Sequence, residues 1–141
     1  MMMKKNILVV GVFDLFHRGH LEFLKKSKSI EGDLYVLING DELTSKYKRQ
    51  PIFQENDRCA IISALSCVKK AEITNSYDIK PFIEKYKIDI ILHGDDWEHK
   101  SYMEQICVNE EYLAEKNIEI MYTPYFDGIS TSELVRNIKE R

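Results

Sequence analysis

Five short runs rich in β-branched and aliphatic residues recur along the chain: NILVVGV (6–12), LYVLING (34–40), KAEIT (70–74), IDIILHG (88–94) and IEIMYTP (118–124). Stretches of helical length lie between them. GHLEFLKKSKSI (19–30) carries Leu21, Leu24 and Ile30 at helical spacing with lysines opposite. ENDRCAIISALSCV (55–68) has Glu55, Asn56 and Asp57 suited to a first turn, and SYDIKPFIEKYK (76–87) opens a helix near Pro81. Residues 99–117 read as helical but less regular. STSELVRNIKE (130–140) starts with hydroxyl residues and places Glu133 three after Ser130, a capping box. Strand runs separated by helix-sized crossovers pair in parallel with right-handed connections. Continuous apolar runs, without alternation, suit strands buried on both faces. The expected fold is therefore α/β, a doubly wound five-stranded parallel sheet with helices on both faces. Residues 41–54 are polar, basic and interrupted by Pro51, and read as a loop.

The 141 residues match one domain, so 1–141 is expected to fold as a single unit. A net charge of −3 excludes the bulk basic character of a chain devoted to nucleic acid. Cys59, Cys67 and Cys107 are odd in number, widely spaced and form no CxxC, so neither a disulfide framework nor a zinc knuckle is expected. Cys59 and Cys67 are eight apart, which places them on similar faces of the 55–68 helix. The apolar run at 7–10 is too short for a signal core or a membrane span, so a soluble cytoplasmic protein is expected.

In a sheet of this kind ligands bind beyond the carboxyl ends of the strands. The loops to inspect are 11–20, 40–50, 94–100 and 124–131. The first is GVFDLFHRGH, with Gly11 at a strand end, Gly19 at a helix start and two histidines three apart. Glycine allows close backbone approach and a helix N-terminus favours an anion, so His17 and His20 suit phosphate oxygens. Zinc is poorly supported, because the spacing is not i, i+4 and no matching third ligand is evident. The plainer alternative is that both histidines cap the turn through backbone contacts. Neither GxxxxGK[ST] nor GxGxxG occurs.

TSKYKRQP (44–51) offers Lys46, Lys48 and Arg49 as a positive arm that can close over developing charge, or as a solvated charge run. HGDDW (93–97) sets two carboxylates at a strand end, suited to Mg²⁺, ribose or base amines, with Trp97 able to stack on a ring. A Gly-Asp-Asp turn is the alternative there. DGISTSE (127–133) joins free N–H groups to the hydroxyls of Ser130, Thr131 and Ser132 at a helix start, which makes a cap and a second anion cradle.

Together these segments resemble the nucleotidyltransferase superfamily with an HxGH motif, and within it the cytidylyltransferases. GVFDLFHRGH is similar to that family's GxFDxxHxGH, GISTS to its GIST motif, and GDDW to that of glycerol-3-phosphate cytidylyltransferases. The resemblance covers nearly the whole chain in order and implies a Rossmann-like sheet. It implies that CTP and a phosphorylated alcohol give a CDP-alcohol and pyrophosphate, by in-line attack on the α-phosphorus, with Mg²⁺ on the phosphates and a homodimer as the assembly. By position, His17 and His20 would hold the triphosphate, and Lys48 or Lys46 would support the α-phosphate. Gly11, Val12, Phe13, Asp14, Gly19, Arg58, Gly94, Asp95, Gly128, Ile129, Ser130 and Thr131 would surround the nucleotide. Asp41, Trp97 and Tyr125 would face the acceptor.

The chain departs from the family in YFDGIST, where Tyr125, Phe126 and Asp127 stand in place of Arg-Thr-Glu. Ser66 replaces an arginine of the glycerol-phosphate enzymes, residues 104–117 look like an extension, and DELTSKYKR is closer to choline- and ethanolamine-phosphate enzymes. The expected acceptor is glycerol 3-phosphate or a similar polyol phosphate. An amino-alcohol phosphate or phosphonate is the competing acceptor, since an aromatic face suits an ammonium headgroup. An ATP-using adenylyltransferase with the same HxGH chemistry stays open, as does a non-catalytic nucleotide-binding module.

Overall fold

A computed structural model describes residues 4–28, 32–94, 99–124 and 130–141. Five strands form one sheet: β1 (Lys5–Gly11), β2 (Gly32–Asn39), β3 (Lys70–Thr74), β4 (Ile90–Gly94) and β5 (Glu119–Thr123). Their order is β3-β2-β1-β4-β5 and every pairing is parallel, as the sequence pattern predicts. The order reverses at β1, which pairs β2 on one side and β4 on the other, so a crevice opens at the carboxyl edge there.

The strands are buried on both faces, and each residue alternates sides. Leu8 packs with Ile79, Phe82, Ile83, Tyr102 and Met103, whereas Ile7 and Val9 pack with Phe23, Leu24 and Ile62. Helices α1 (Arg18–Lys28) and α3 (Glu55–Ser63) therefore cover one face. Helices α4 (Lys80–Tyr86), α5 (His99–Gln105) and α6 (Glu110–Lys116) cover the other. Helix α7 (Thr131–Glu140) follows β5 and starts at an N-cap Ser130 whose hydroxyl accepts from the Glu133 N–H at 3.1 Å, the expected capping bond.

Two expectations are corrected, on residues 41–54 and on the end of the helix from Glu55. Residues 41–54 contain a short helix, α2 (Asp41–Ser45), with acidic residues in its first turn and Leu43 and Thr44 buried. Helix α3 stops at Ser63, because the chain turns to bring the Lys69 N–H to the Leu34 carbonyl and enter β3. Cys67 thus lies beyond the helix, although it and Cys59 pack on the same core cluster. Helix α4 opens at Lys80, beside Pro81 as expected, since Ser76 and Asp78 are used in turn bonds and Pro81 sits in the first turn. Residues 99–117 are two helices, separated where Cys107 is left-handed (φ 62°) and Asn109 caps α6.

Candidate active site

Beyond the carboxyl ends of β1 and β2 lies a cavity of about 1090 Å³. Its floor is the strand end Val9–Val12, and α1, the segment after α2 and the start of α7 wall it. The turn after β1 is strained: Phe13 and Leu15 both adopt positive φ (56° and 48°), a conformation that costs side-chain-bearing residues roughly 1–2 kcal/mol each. Asp14 between them offsets that cost. Its Oδ1 accepts from the N–H groups of Leu15 (3.0 Å) and Phe53 (2.9 Å). Its Oδ2 accepts from the Ile52 N–H (2.8 Å) and Arg49 Nη1 (3.1 Å). The Thr131 hydroxyl donates to the Asp14 carbonyl at 3.1 Å, so one residue joins the histidine turn, the basic segment and the start of α7. Burial pushes the Asp14 pKa up, but the N–H groups of Phe53 and Ile52 and the Arg49 guanidinium outweigh it and hold it below the usual carboxylate range. Gly11 has no Cβ where one would press on the Phe13 ring at 2.9 Å, so a side chain there would displace that ring.

The histidines are held by the backbone. The Gly19 N–H donates to His17 Nδ1 (3.0 Å), and the His17 N–H donates to His20 Nδ1 (3.1 Å). An Nδ1 that accepts carries no proton, so in each neutral ring the proton sits on Nε2. The rings lie 3.9 Å apart by centroid, with His20 stacked on Phe16 and edge-on to Phe13. Burial, His17 and Lys48 lower the His20 pKa to about 4, against the opposing pull of Asp14, and burial lowers that of His17. The capping and anion-site readings of this pair are thus compatible. Nδ1 serves the turn, and Nε2–H is a neutral donor on a ring that lines the cavity. Among the described residues no three His, Cys, Asp or Glu side chains converge as a metal cluster.

The cavity gathers Gly11, Val12, Phe13, Asp14, His17, Gly19, His20, Lys48, Ser130 and Thr131 from the residues singled out in the sequence. Four others fall elsewhere. Lys46 is exposed at the end of α2 and does not line the cavity, so the lysine at the site is Lys48. Arg58 is 1 % exposed, and its donors reach Phe53 O (3.0 Å), Val12 O (2.7 Å), Asn39 O (2.8 Å) and Asp41 Oδ1 (2.6 Å). Asp41 in turn bonds Arg58 and exchanges side-chain-to-backbone bonds with Glu55. Arg58 is sealed inside the fold, where it positions the strand ends, and Asp41 supports it from a partly exposed position. Gly94 closes β4, paired with Thr123. Asp95, Trp97, Tyr125, Gly128 and Ile129 lie outside the described residues.

Thr44, Tyr47 and His93, which stand inside the motif segments without a role assigned from the sequence, also line the cavity, as do Tyr77, Tyr102 and Gln105, to which no motif points. Tyr77 follows β3, and the carboxyl-edge rule applied to that loop finds it. Tyr47 stands inside the basic segment itself. Among the described residues no helix is long and apolar enough to cross a membrane.

A family model described as cytidylyltransferase-like matches residues 8–137. An FAD synthase of Korarchaeum cryptofilum is 33% identical over 142 residues, spanning 96% of this chain and 92% of that protein. A glycerol-3-phosphate cytidylyltransferase of Bacillus spizizenii is 27% identical over 136 residues, spanning 95% and 97%. The crystal structure of the lipopolysaccharide core biosynthesis protein from Thermoplasma volcanium superposes with a TM-score of 0.70 at 29% identity, covering 87% of this chain and 98% of that one.

Proposed function

The chain belongs to the cytidylyltransferase-like family, and from that premise we propose that it transfers a nucleotidyl group from CTP to a small phosphorylated alcohol. One observation carries the reading. Two backbone-fixed histidines, Lys48 and the hydroxyl-lined start of α7 line one cavity at the point where the strand order reverses. Such a wall of donors and positive charge suits a triphosphate.

A phosphate oxygen of the acceptor attacks the α-phosphorus. The new P–O bond forms as the bond to the β-phosphate bridging oxygen breaks, and pyrophosphate leaves with that electron pair. No covalent bond to the protein is required, so the protein's work is alignment and charge stabilisation. Neutral Nε2–H groups of His17 and His20 donate to phosphate oxygens on which charge grows. Lys48 adds its ammonium, and Ser130 and Thr131 receive phosphate oxygens at the start of α7.

Mg²⁺ is expected from the resemblance. Among the described residues Asp14 and Glu133 are the carboxylates on the cavity, and Asp14 has both oxygens engaged by four donors. Any such ion would arrive on the triphosphate, as Mg²⁺ commonly does, and no step above is routed through protein ligands to it. The homodimer belongs to the same proposal.

CTP is supported by the HGDDW segment that starts at the end of β4, and a polyol phosphate acceptor such as glycerol 3-phosphate by the motif set as a whole. A second reading has a specific observation behind it: ATP as donor, because FAD synthases are among the relatives. For the acceptor, the rings of Tyr47, Tyr77 and Tyr102 on the cavity favour the amino-alcohol phosphates as the alternative. Pyrophosphate release is measured with CTP and with ATP against glycerol phosphates, phosphoethanolamine, phosphocholine and other polyol phosphates. A preference for CTP with a polyol phosphate is expected. A preference for ATP overturns the donor assignment, and turnover with none of them overturns the transferase.

A further inference from the structure

We propose that Tyr47 is a positioning residue that docks the basic arm on the end of β2 and so presents Lys48 to the triphosphate, an inference that rests on the nucleotidyl-transfer reading. Lys48 follows a helix of only five residues. Beyond that helix the N–H groups of Lys46, Tyr47 and Lys48 bond back to Leu43 and Thr44, within the same short element. Backbone bonds therefore do not tie the arm to the sheet here. A lysine side chain is a flexible four-carbon stem, so its ammonium goes where the backbone is held.

Side chains hold it on both sides. After Lys48, Arg49 pairs with Asp14 at 3.1 Å. Before it, the Tyr47 hydroxyl accepts from Asn39 Nδ2 at 2.8 Å. Asn39 is a firm post: it is the last residue of β2, and its carbonyl receives Arg58 Nη1 at 2.8 Å and the Thr44 hydroxyl at 3.3 Å. The Tyr47 ring also meets the Tyr77 ring at 6.2 Å, and both line the cavity with Lys48. Lys48 is near enough to His20 for its charge to oppose protonation of that ring. Burial pushes the Tyr47 pKa up, against the opposing effect of the Asn39 amide that donates to its oxygen. The two anchors differ. Asp14 still holds Ile52 and Phe53 when Arg49 turns away, whereas on the α2 side Thr44 holds the helix to Asn39 and Tyr47 is the anchor next to Lys48.

The test is a double-mutant cycle on pyrophosphate release, with Tyr47→Ala, Lys48→Met and the pair. Tyr47→Ala is expected to lower kcat by about tenfold with little change in the KM for the triphosphate, since misplacing a charge-stabilising group costs rate. In the Lys48→Met background the same change is expected to do nothing further. Tyr47→Phe, which keeps the ring and loses the acceptor, is expected to fall between wild type and Tyr47→Ala and guards against a variant that does not fold. Equal factors in both backgrounds overturn the proposal, as does a Tyr47→Phe protein with wild-type kcat. If the wild-type protein turns over no nucleotide, it is the transferase reading that fails. The cycle is then run on CTP binding by titration calorimetry. In a protein that binds without turnover, a Tyr47→Ala weakening that vanishes with Lys48→Met supports the positioning role, and a weakening that persists, or none at all, overturns it.

Discussion

Arg58 Nη2 lies 2.6 Å from Asp41 Oδ1 with the guanidinium fully buried, and its other donors bind the carbonyls of Val12, Asn39 and Phe53. One side chain thus clamps the ends of β1 and β2, the start of α2 and the segment before α3. Removing one partner of a buried pair leaves the rest uncompensated and typically costs about 3–5 kcal/mol. Arg58→Ala is therefore expected to destabilise the protein by about that much, read as a lower urea midpoint. Asp41→Asn is expected to cost less, because Arg58 keeps three carbonyl partners and Asp41 is partly exposed. An Arg58→Ala midpoint equal to wild type would sink the clamp.

The two nitrogens of His20 have separate tasks, and a substitution can divide them. Asparagine places its Oδ1 near the Nδ1 position, so His20→Asn keeps an acceptor for the His17 N–H and removes the Nε2–H donor. It is expected to retain most of the stability and to lose roughly 10²–10³ in kcat, the usual cost of a deleted donor to developing charge. His20→Ala is expected to lose both. Equal kcat in His20→Asn and wild type, in the pyrophosphate assay, would return the histidine to a capping role alone.

The β/α order is legible because buried parallel strands leave continuous apolar runs and the covering helices leave a 3.6-residue period. Five residues of α2 make barely more than one turn, too few to show a period, so 41–54 reads as a loop. The overrun of α3 has a tertiary cause: ALSCV continues the apolar pattern, while the sheet demands Lys69 at Leu34. At the site, motif spacing leads to the histidine turn, but a sequence shows charge and not burial. Arg58 and Arg49 look alike on paper; one is sealed in the fold and the other is 40 % exposed on Asp14. Tyr47 is hidden for the same reason, as the lysines beside it make the segment read as charge.

Acid should weaken this protein in two stages, because His20 and Asp14 are depressed for different reasons. The His20 pKa is near 4 in the fold against 6.5 for the free side chain, chiefly through burial. Between those values the unfolded chain takes up a proton that the folded one refuses. The neutral histidine's contribution is thus complete above about pH 6.5, falls as pH drops toward 4 and is level below. It amounts to roughly 3–4 kcal/mol at about 1.4 kcal/mol per pKa unit. Asp14 acts lower: its folded pKa lies under 3.8, so its contribution is whole above that value and is lost as pH falls through the folded pKa. Urea midpoints from pH 8 to 3 should fall first across 6.5–4 and again below 4. His20→Asn should shrink the first stage to the part that the buried His17 contributes and leave the second. A wild-type midpoint unchanged between pH 7 and 4.5 would show that His20 is not held neutral by the turn.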